Sequence, residues 1–126
     1  MLSLYMRYFF SSHGFDITRE QFILLAHLYH EDGMMQKDLA FITERNKGSL
    51  ARLVNTTEKK NWVARIPSTE DKRVNQIYLT TQGRDVFEKL KPILAKCEQA
   101  VQKGLTPQEI ETTISVLEKI QKNISK

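Results

Sequence analysis

Two clusters of residues in this chain have the types and spacing needed to hold a polyanion. The first is Lys47-Gly48-Ser49, followed by Arg52, Asn55 and Lys59. Wound as an α-helix, Leu50, Leu53, Val54 and Thr57 share a narrow arc, and Gly48, Arg52, Asn55 and Lys59 lie opposite. One face is therefore core and the other basic and polar. Gly48 and Ser49 leave the backbone and the positive helix end open to a phosphate, and Arg52 is long enough to reach guanine edges or the backbone in a major groove. The second cluster is Asp71-Lys72-Arg73, within the turn-forming stretch STEDKR. Residues two apart in an extended loop point to the same side, so Asp71 can hold Arg73 in a fixed posture. An oriented arginine is what a narrow, electronegative minor groove selects.

Charge agrees with this reading. Residues 36–80 carry nine Lys or Arg against five Asp or Glu, an excess of +4 that equals the net charge of the whole chain. A solvated surface mixes its signs, whereas a positive excess confined to one third of a small protein is the footprint expected for nucleic acid.

At 126 residues the chain has the length of one domain, long enough to bury a core without staples. One cysteine excludes an internal disulfide. No stretch approaches the length of apolar residues that a membrane span requires, so a soluble, cytoplasmic product is expected. There is no Gly-rich phosphate loop and no Cys-x-x-Cys, and Ser11, Ser12 and His13 read as a helix cap and turn, so no enzyme is expected. No cofactor is implied, and His13, His27 and His30 are not spaced with other ligands as a metal site requires.

The elements that must position the two clusters are readable in outline. Residues 2–12 form an apolar, aromatic helix stopped at His13-Gly14. Thr18 and Gln21 form a capping box for a second, buried helix. Met34-Met35 is too short to be more than one bridge of a sheet. A short helix over 36–42 leads to the basic helix over 46–60, which Asn61 can stop in the left-handed region. WVARIP and VNQIYLT then pair as a hairpin with a charged tip. Thr80 or Thr81 caps a long helix through Pro92 and Cys97 to Gly104, and Thr106-Pro107 with Glu109 opens the last, with Ile110, Ile114, Leu117, Ile120 or Gln121, and Ile124 along one stripe.

In this order the residues Leu39, Ala40, Lys47, Leu50, Arg52, Leu53, Val54, Asp71, Arg73, Leu79, Thr80 and Gly83 resemble the pattern of the MarR family of winged helix-turn-helix transcription regulators. The resemblance covers nearly the whole chain. It implies a mainly α (α+β) fold, a winged helix-turn-helix with a two-stranded wing and terminal dimerisation helices. Residues 18–83 would be the DNA-binding lobe and residues 1–17 and 84–126 the dimerisation helices of a single domain spanning 1–126. It also implies that Lys47, Gly48, Ser49 and Arg52 enter a major groove and that Arg73 enters the minor groove. Three departures stand out: Glu44 where members often have glycine, Gly48 where serine or threonine is common, and Asn61 in place of a usual glycine. Glu44 or Arg45 must then take an unusual backbone angle, with Asn46 capping the basic helix.

The terminal helices carry more apolar surface than one small lobe can cover, and a second copy of the chain is the expected cover. A homodimer faces a pseudo-palindromic duplex site with two recognition helices. Many members of the family respond to small aromatic ligands, for which Tyr8, Phe9, His13 and His27 are candidates here, although aromatic residues on an apolar helix more often serve the core. Cys97 reads as a small buried hydrophobe rather than a redox sensor. Lys59 and Lys60 are candidates for phosphate contacts. The expected function is a sequence-specific double-stranded DNA-binding regulator, a repressor by family habit; the rival is a winged-helix module that binds protein.

Overall fold

Local hydrogen bonds decide where most elements begin and end. The computed structural model describes residues 2–125, with side chains described from residue 7 to residue 125. The apolar side chains expected to enrich the start of the first helix, from Leu2 to Met6, lie outside the described residues. The order is α1 (Leu2–Ser12), α2 (Arg19–His30), β1 (Met34–Met35), α3 (Gln36–Ile42), α4 (Lys47–Lys59), β2 (Val63–Pro67), β3 (Asn75–Leu79), α5 (Thr81–Gln102) and α6 (Pro107–Ile124). Both expected capping boxes form: Thr18 Oγ1 accepts from the Gln21 N–H while Gln21 Oε1 accepts from the Thr18 N–H, each at 3.1 Å. Thr106 and Glu109 do the same at the start of α6. Thr80 is the residue that caps α5, its hydroxyl accepting from the Gly83 N–H at 2.9 Å.

Three helices end in the same way, with a residue in the left-handed region and a pair of backbone bonds that close the last turn. At the end of α1, Gly14 (φ 89°) donates to Ser11 and Phe15 donates back to Phe10. After α3, Glu44 (φ 54°) donates to Phe41 and Arg45 to Ala40; after α4, Asn61 (φ 63°) donates to Glu58 and Trp62 to Thr57. Each is a Schellman closure that satisfies the orphan carbonyls of its helix.

The chain divides into two compact units, Met1–Leu94 and Ala95–Lys126. In the first, the core gathers Phe10 of α1, Leu24, Leu25 and Leu28 of α2, Leu39 of α3, Leu50 and Val54 of α4, Ile77 of β3 and Leu90 of α5, all essentially sealed from solvent. Phe22 stacks on Phe87 with centroids 5.5 Å apart. Contributions come from every element of the unit, so the lobe has a single core rather than a helical layer with an appended hairpin.

The expected hairpin forms from β2 and β3, and Met34-Met35 bridges onto it as a short third strand. Its sheet has three antiparallel strands in the order β1-β3-β2, with Met34 opposite Ile77, and Val63 to Pro67 running against Leu79 to Asn75. Two residues make a poor strand alone, but the turn that leads into β1 is tied to β3 twice. Asp32 Oδ1 accepts from the Leu79 N–H at 2.8 Å, and Gln76 donates its side-chain amide to the Gly33 carbonyl at 3.1 Å. Gly33 sits at φ 73° against the Tyr78 ring, where a Cβ would lie 2.8 Å from the ring carbon Cε1. Asp32 also pairs with Arg84 of α5 at 3.4 Å, so one carboxylate joins the α2–β1 turn to β3 and α5.

In the second unit, Gly104 (φ 84°) and the Leu105 N–H to Gln102 carbonyl bond close α5, and Thr106 and Pro107 start α6. The apolar stripe expected on α6 is present, but α6 has no buried residue: Ile114, Leu117, Ile120 and Ile124 are all exposed. Cys97, on α5, is buried. Burial, and then the nearby Glu98 carboxylate, push its thiol pKa up, which keeps it protonated and poorly nucleophilic.

Candidate nucleic-acid interface

The turn from α3 into α4 sets the basic helix. Glu44 takes the left-handed angle expected of residue 44 or 45, and Asn46 then caps α4 by accepting from the Ser49 N–H at 2.7 Å. Ser49 is thus less open to a phosphate than its position alone implied. Its amide is bound by the cap, and its hydroxyl accepts from the Arg45 guanidinium at 2.8 Å. With that lone pair occupied, the hydroxyl hydrogen remains free to be donated outward, toward an acceptor.

Along α4 the two faces separate as the wheel requires. Leu50, Val54 and Thr57 are buried and Leu53 is half-buried, whereas Lys47, Gly48, Arg52, Asn55 and Lys59 are exposed. Gly48 is informative. A Cβ there would meet nothing closer than 3.6 Å, so nothing inside the protein demands glycine. Glycine inside a helix costs about 1 kcal/mol relative to alanine, and its use on the outer face of the first turn suits close approach of an external backbone.

The wing tip is built from nested turns rather than the extended loop expected. Ser68 and Val74 close it through a 2.8 Å bond from the Ser68 N–H, the Ser68 hydroxyl accepts from the Glu70 N–H, and the Val74 N–H returns to the Asp71 carbonyl at 3.0 Å. Within the last turn Asp71 grips Arg73 three times. Its carboxylate accepts from the Arg73 backbone N–H at 3.0 Å, from Nε at 3.1 Å and from a terminal guanidinium nitrogen at 3.2 Å. The side-chain bonds and then the backbone bond hold the Asp71 carboxyl below its ordinary pKa. Arg73 is thereby oriented although its side chain is 91% exposed, and Lys72 beside it is exposed.

Helix and wing meet at one cleft. Lys47 and Leu50 of α4, Gln36, Lys37 and Ala40 of α3, and Arg73, Val74 and Asn75 of the wing line it together. Lys37 and Gln36 were invisible to the sequence reading because a single lysine beside Asp38 carries no pattern. Arg65 of β2 was also missed: it bonds Glu58 and the Ala51 carbonyl of α4.

Lys60 does not stand beside Lys59 in role. Its ammonium donates to the Asp16 carbonyl and to Gln21 Oε1, and lies 4.7 Å from the centroid of the Trp62 ring. Those contacts draw it toward the α2 start, while Lys59 remains exposed.

The ligand candidates do not form one wall. Phe9 and His13 sit against each other, centroids 4.9 Å apart, with His13 Nδ1 2.9 Å from the Phe9 carbonyl oxygen, and Tyr8 is exposed. His27 lines a different cleft, with Ile23, Ile42, Arg45 and Leu53 among its walls. Among the described residues no group of three or more His, Cys, Asp or Glu could hold a metal ion, and no helix is long and apolar enough to cross a membrane.

Comparison with known proteins places this geometry. The model of the MarR family matches residues 17–74, from the start of α2 to the wing tip. The uncharacterised HTH-type transcriptional regulator YybA of Bacillus subtilis is 25% identical over 111 residues, covering 88% of this chain and 74% of YybA. Across five curated relatives, the share of the relative's length that is covered runs from 54 to 74%. Among solved structures, the MepR–DNA complex of S. aureus superposes with a TM-score of 0.85 at 28% identity, covering 98% of this chain and 89% of MepR. The heme sensor protein PefR of Streptococcus agalactiae, solved with heme, is 31% identical, with a TM-score of 0.75 and coverage of 97% of this chain and 82% of PefR. With the family's own model on the lobe and a relative of this identity matched over most of its length, the chain belongs to the MarR family of transcriptional regulators.

Proposed function

We propose that the chain binds double-stranded DNA, reading sequence with α4 in a major groove while Arg73 probes the adjacent minor groove. The observation that carries this reading is the shared cleft, which puts Lys47 of α4 and the oriented Arg73 of the wing on two walls of one recess. The likeness to a MepR structure solved with DNA supports it. Lys47, Gly48, Ser49, Arg52, Asn55 and Lys59 supply the helix contacts, and Lys72 and Arg73 those of the wing, with Asp71 holding the arginine.

Residues 18–83 act as the DNA-binding lobe, and residues 1–17 and 84–126 join two copies into a homodimer, which covers the exposed stripe of α6. The dimer then faces a pseudo-palindromic operator and acts in the cytoplasm as a repressor, by blocking polymerase access. The PefR–heme structure supports a response to a small ligand; in this chain the candidates for an aromatic ligand are Tyr8, Phe9, His13 and His27.

The test is selection of binding sites from a random duplex pool with the parent chain and with Arg73→Ala, at two salt concentrations. Enrichment of a palindrome with half-sites about 10 base pairs apart, weakened by the substitution, is the expected result. Recovery of no sequence, with equal weak binding by both proteins, would replace this reading with that of a protein-binding winged helix.

A further inference from the structure

Arg65 occupies the middle of β2, opposite Ile77 of β3, and its side chain turns onto α4. The Arg65 backbone N–H donates to Glu58 Oε2 at 3.3 Å, one guanidinium nitrogen donates to Glu58 Oε1 at 3.3 Å, and the other donates to the Ala51 carbonyl at 3.2 Å. The side chain is 24% exposed, the most enclosed cation of any ion pair among the described residues. Ala51 and Glu58 are seven residues apart, about two helical turns. One side chain therefore meets the helix at two levels, which constrains the tilt of the strand against α4 as well as its distance. A planar guanidinium suits such a two-point hold, and an ammonium does not.

We propose that Arg65 is a positioning residue that sets the spacing between recognition helix and wing, so that α4 and Arg73 engage the same stretch of duplex together. This rests on the DNA-binding reading above. The wing leaves α4 through the short segment 60–62, and Arg73 stands beyond the far end of β2. A strand advances about 3.3 Å per residue, so a small rotation at Arg65 is amplified at the tip. Glu58 and Ala51 flank the exposed face of α4 without belonging to it, which leaves Arg52, Asn55 and Lys59 available to the duplex.

The experiment is a double-mutant cycle on the full chain, using the duplex enriched by selection and following binding by fluorescence anisotropy. In the parent, Arg73→Ala should weaken binding by about 5- to 150-fold, as loss of a groove contact does. In an Arg65→Met background the same substitution should cost about twofold or less, because the wing no longer delivers the arginine. Arg65→Lys, which keeps the charge but not the fork, should behave like Arg65→Met. Thermal unfolding of each variant checks that the lobe is folded; should Arg65→Met fail that check, Glu58→Gln, which keeps shape and removes only the charge, takes its place in the cycle. An equal cost of Arg73→Ala in both folded backgrounds would overturn the positioning role and leave the DNA reading intact. No cost in the parent would overturn the wing contact itself, and this proposal with it.

Discussion

Gly83 in the first turn of α5 lies directly on the carbonyl of Trp62: a Cβ built there would stand 2.8 Å from the carbonyl carbon and collide with its oxygen. That carbonyl is not free to move, because it accepts the Thr80 N–H at 3.1 Å. Helix propensity alone favours alanine over glycine by about 1 kcal/mol. The collision is with backbone, and overpacking of this kind costs about 1–3 kcal/mol or more, so sterics win. Gly83→Ala should lower the thermal midpoint, as measured by circular dichroism; an unchanged or raised midpoint would show that α5 can slide away from Trp62.

The contrast between Gly83 and Asp32 marks how far the sequence could be read. Caps and stops were legible because their chemistry is local: Thr18 with Gln21, Thr106 with Glu109, Asn46, and Asn61 as a left-handed stop all bond within a few residues. The basic face of α4 was legible because burial follows helical period. Asp32 was not, since its partners Leu79 and Arg84 lie 47 and 52 residues away and nothing in the neighbouring sequence points to them. The pairing of the Met34-Met35 bridge with β3, the Arg65 clamp and the contribution of Lys37 to the cleft were hidden for the same reason. The grip of Asp71 on Arg73 was expected, but through an extended loop; the backbone instead turns at Asp71, which brings the Arg73 N–H onto the same carboxylate.

That grip should be visible in a titration. Pairing with Arg73 lowers the Asp71 pKa in the folded chain, so the contact is fully present above the ordinary carboxylate value and is lost as pH falls through the lowered one. Carbon-detected NMR should place the Asp71 midpoint below the ordinary value of about 3.9, and Arg73→Ala, which removes the side-chain bonds but keeps the backbone N–H, should raise it part of the way back. A midpoint unmoved by the substitution would mean that the fork does not persist in solution.

Glu44 and Asn61 occupy equivalent places in two Schellman closures, yet they differ in strain. A left-handed angle costs most side chains about 1–2 kcal/mol, while asparagine is tolerated. Glycine's extra freedom in the unfolded chain returns about 0.4–1 kcal/mol of any gain. Glu44→Gly should therefore stabilise the fold by about 0.5–1 kcal/mol in urea unfolding, and Asn61→Gly should be close to neutral. The reverse order would mean that Glu44 is compensated by contacts that its backbone angle does not reveal.

The exposed stripe of α6 gives the dimer proposal its own test. Leu117 is 59% exposed and Ile114 51% in the single chain; if a second copy covers them, Leu117→Glu buries a charge in an apolar contact, at a cost large enough to shift association. Sedimentation should then show a dimer for the parent and a monomer for the variant at micromolar concentration. A parent that sediments as a monomer would refute the dimer, and a variant that remains dimeric would place the interface elsewhere.

Lys59 and Lys60, alike in sequence, should separate in salt. Each phosphate contact contributes about one unit to the slope of log affinity against log salt. Lys59 is exposed on the face of α4 that also presents Arg52 and Asn55, so Lys59→Ala should flatten the slope by about one unit and leave stability unchanged. Lys60 is committed to Asp16, Gln21 and the Trp62 ring, so Lys60→Ala should leave the slope alone and cost about 0.5–1 kcal/mol of stability. Equal flattening by both would mean that DNA draws Lys60 off the Trp62 ring.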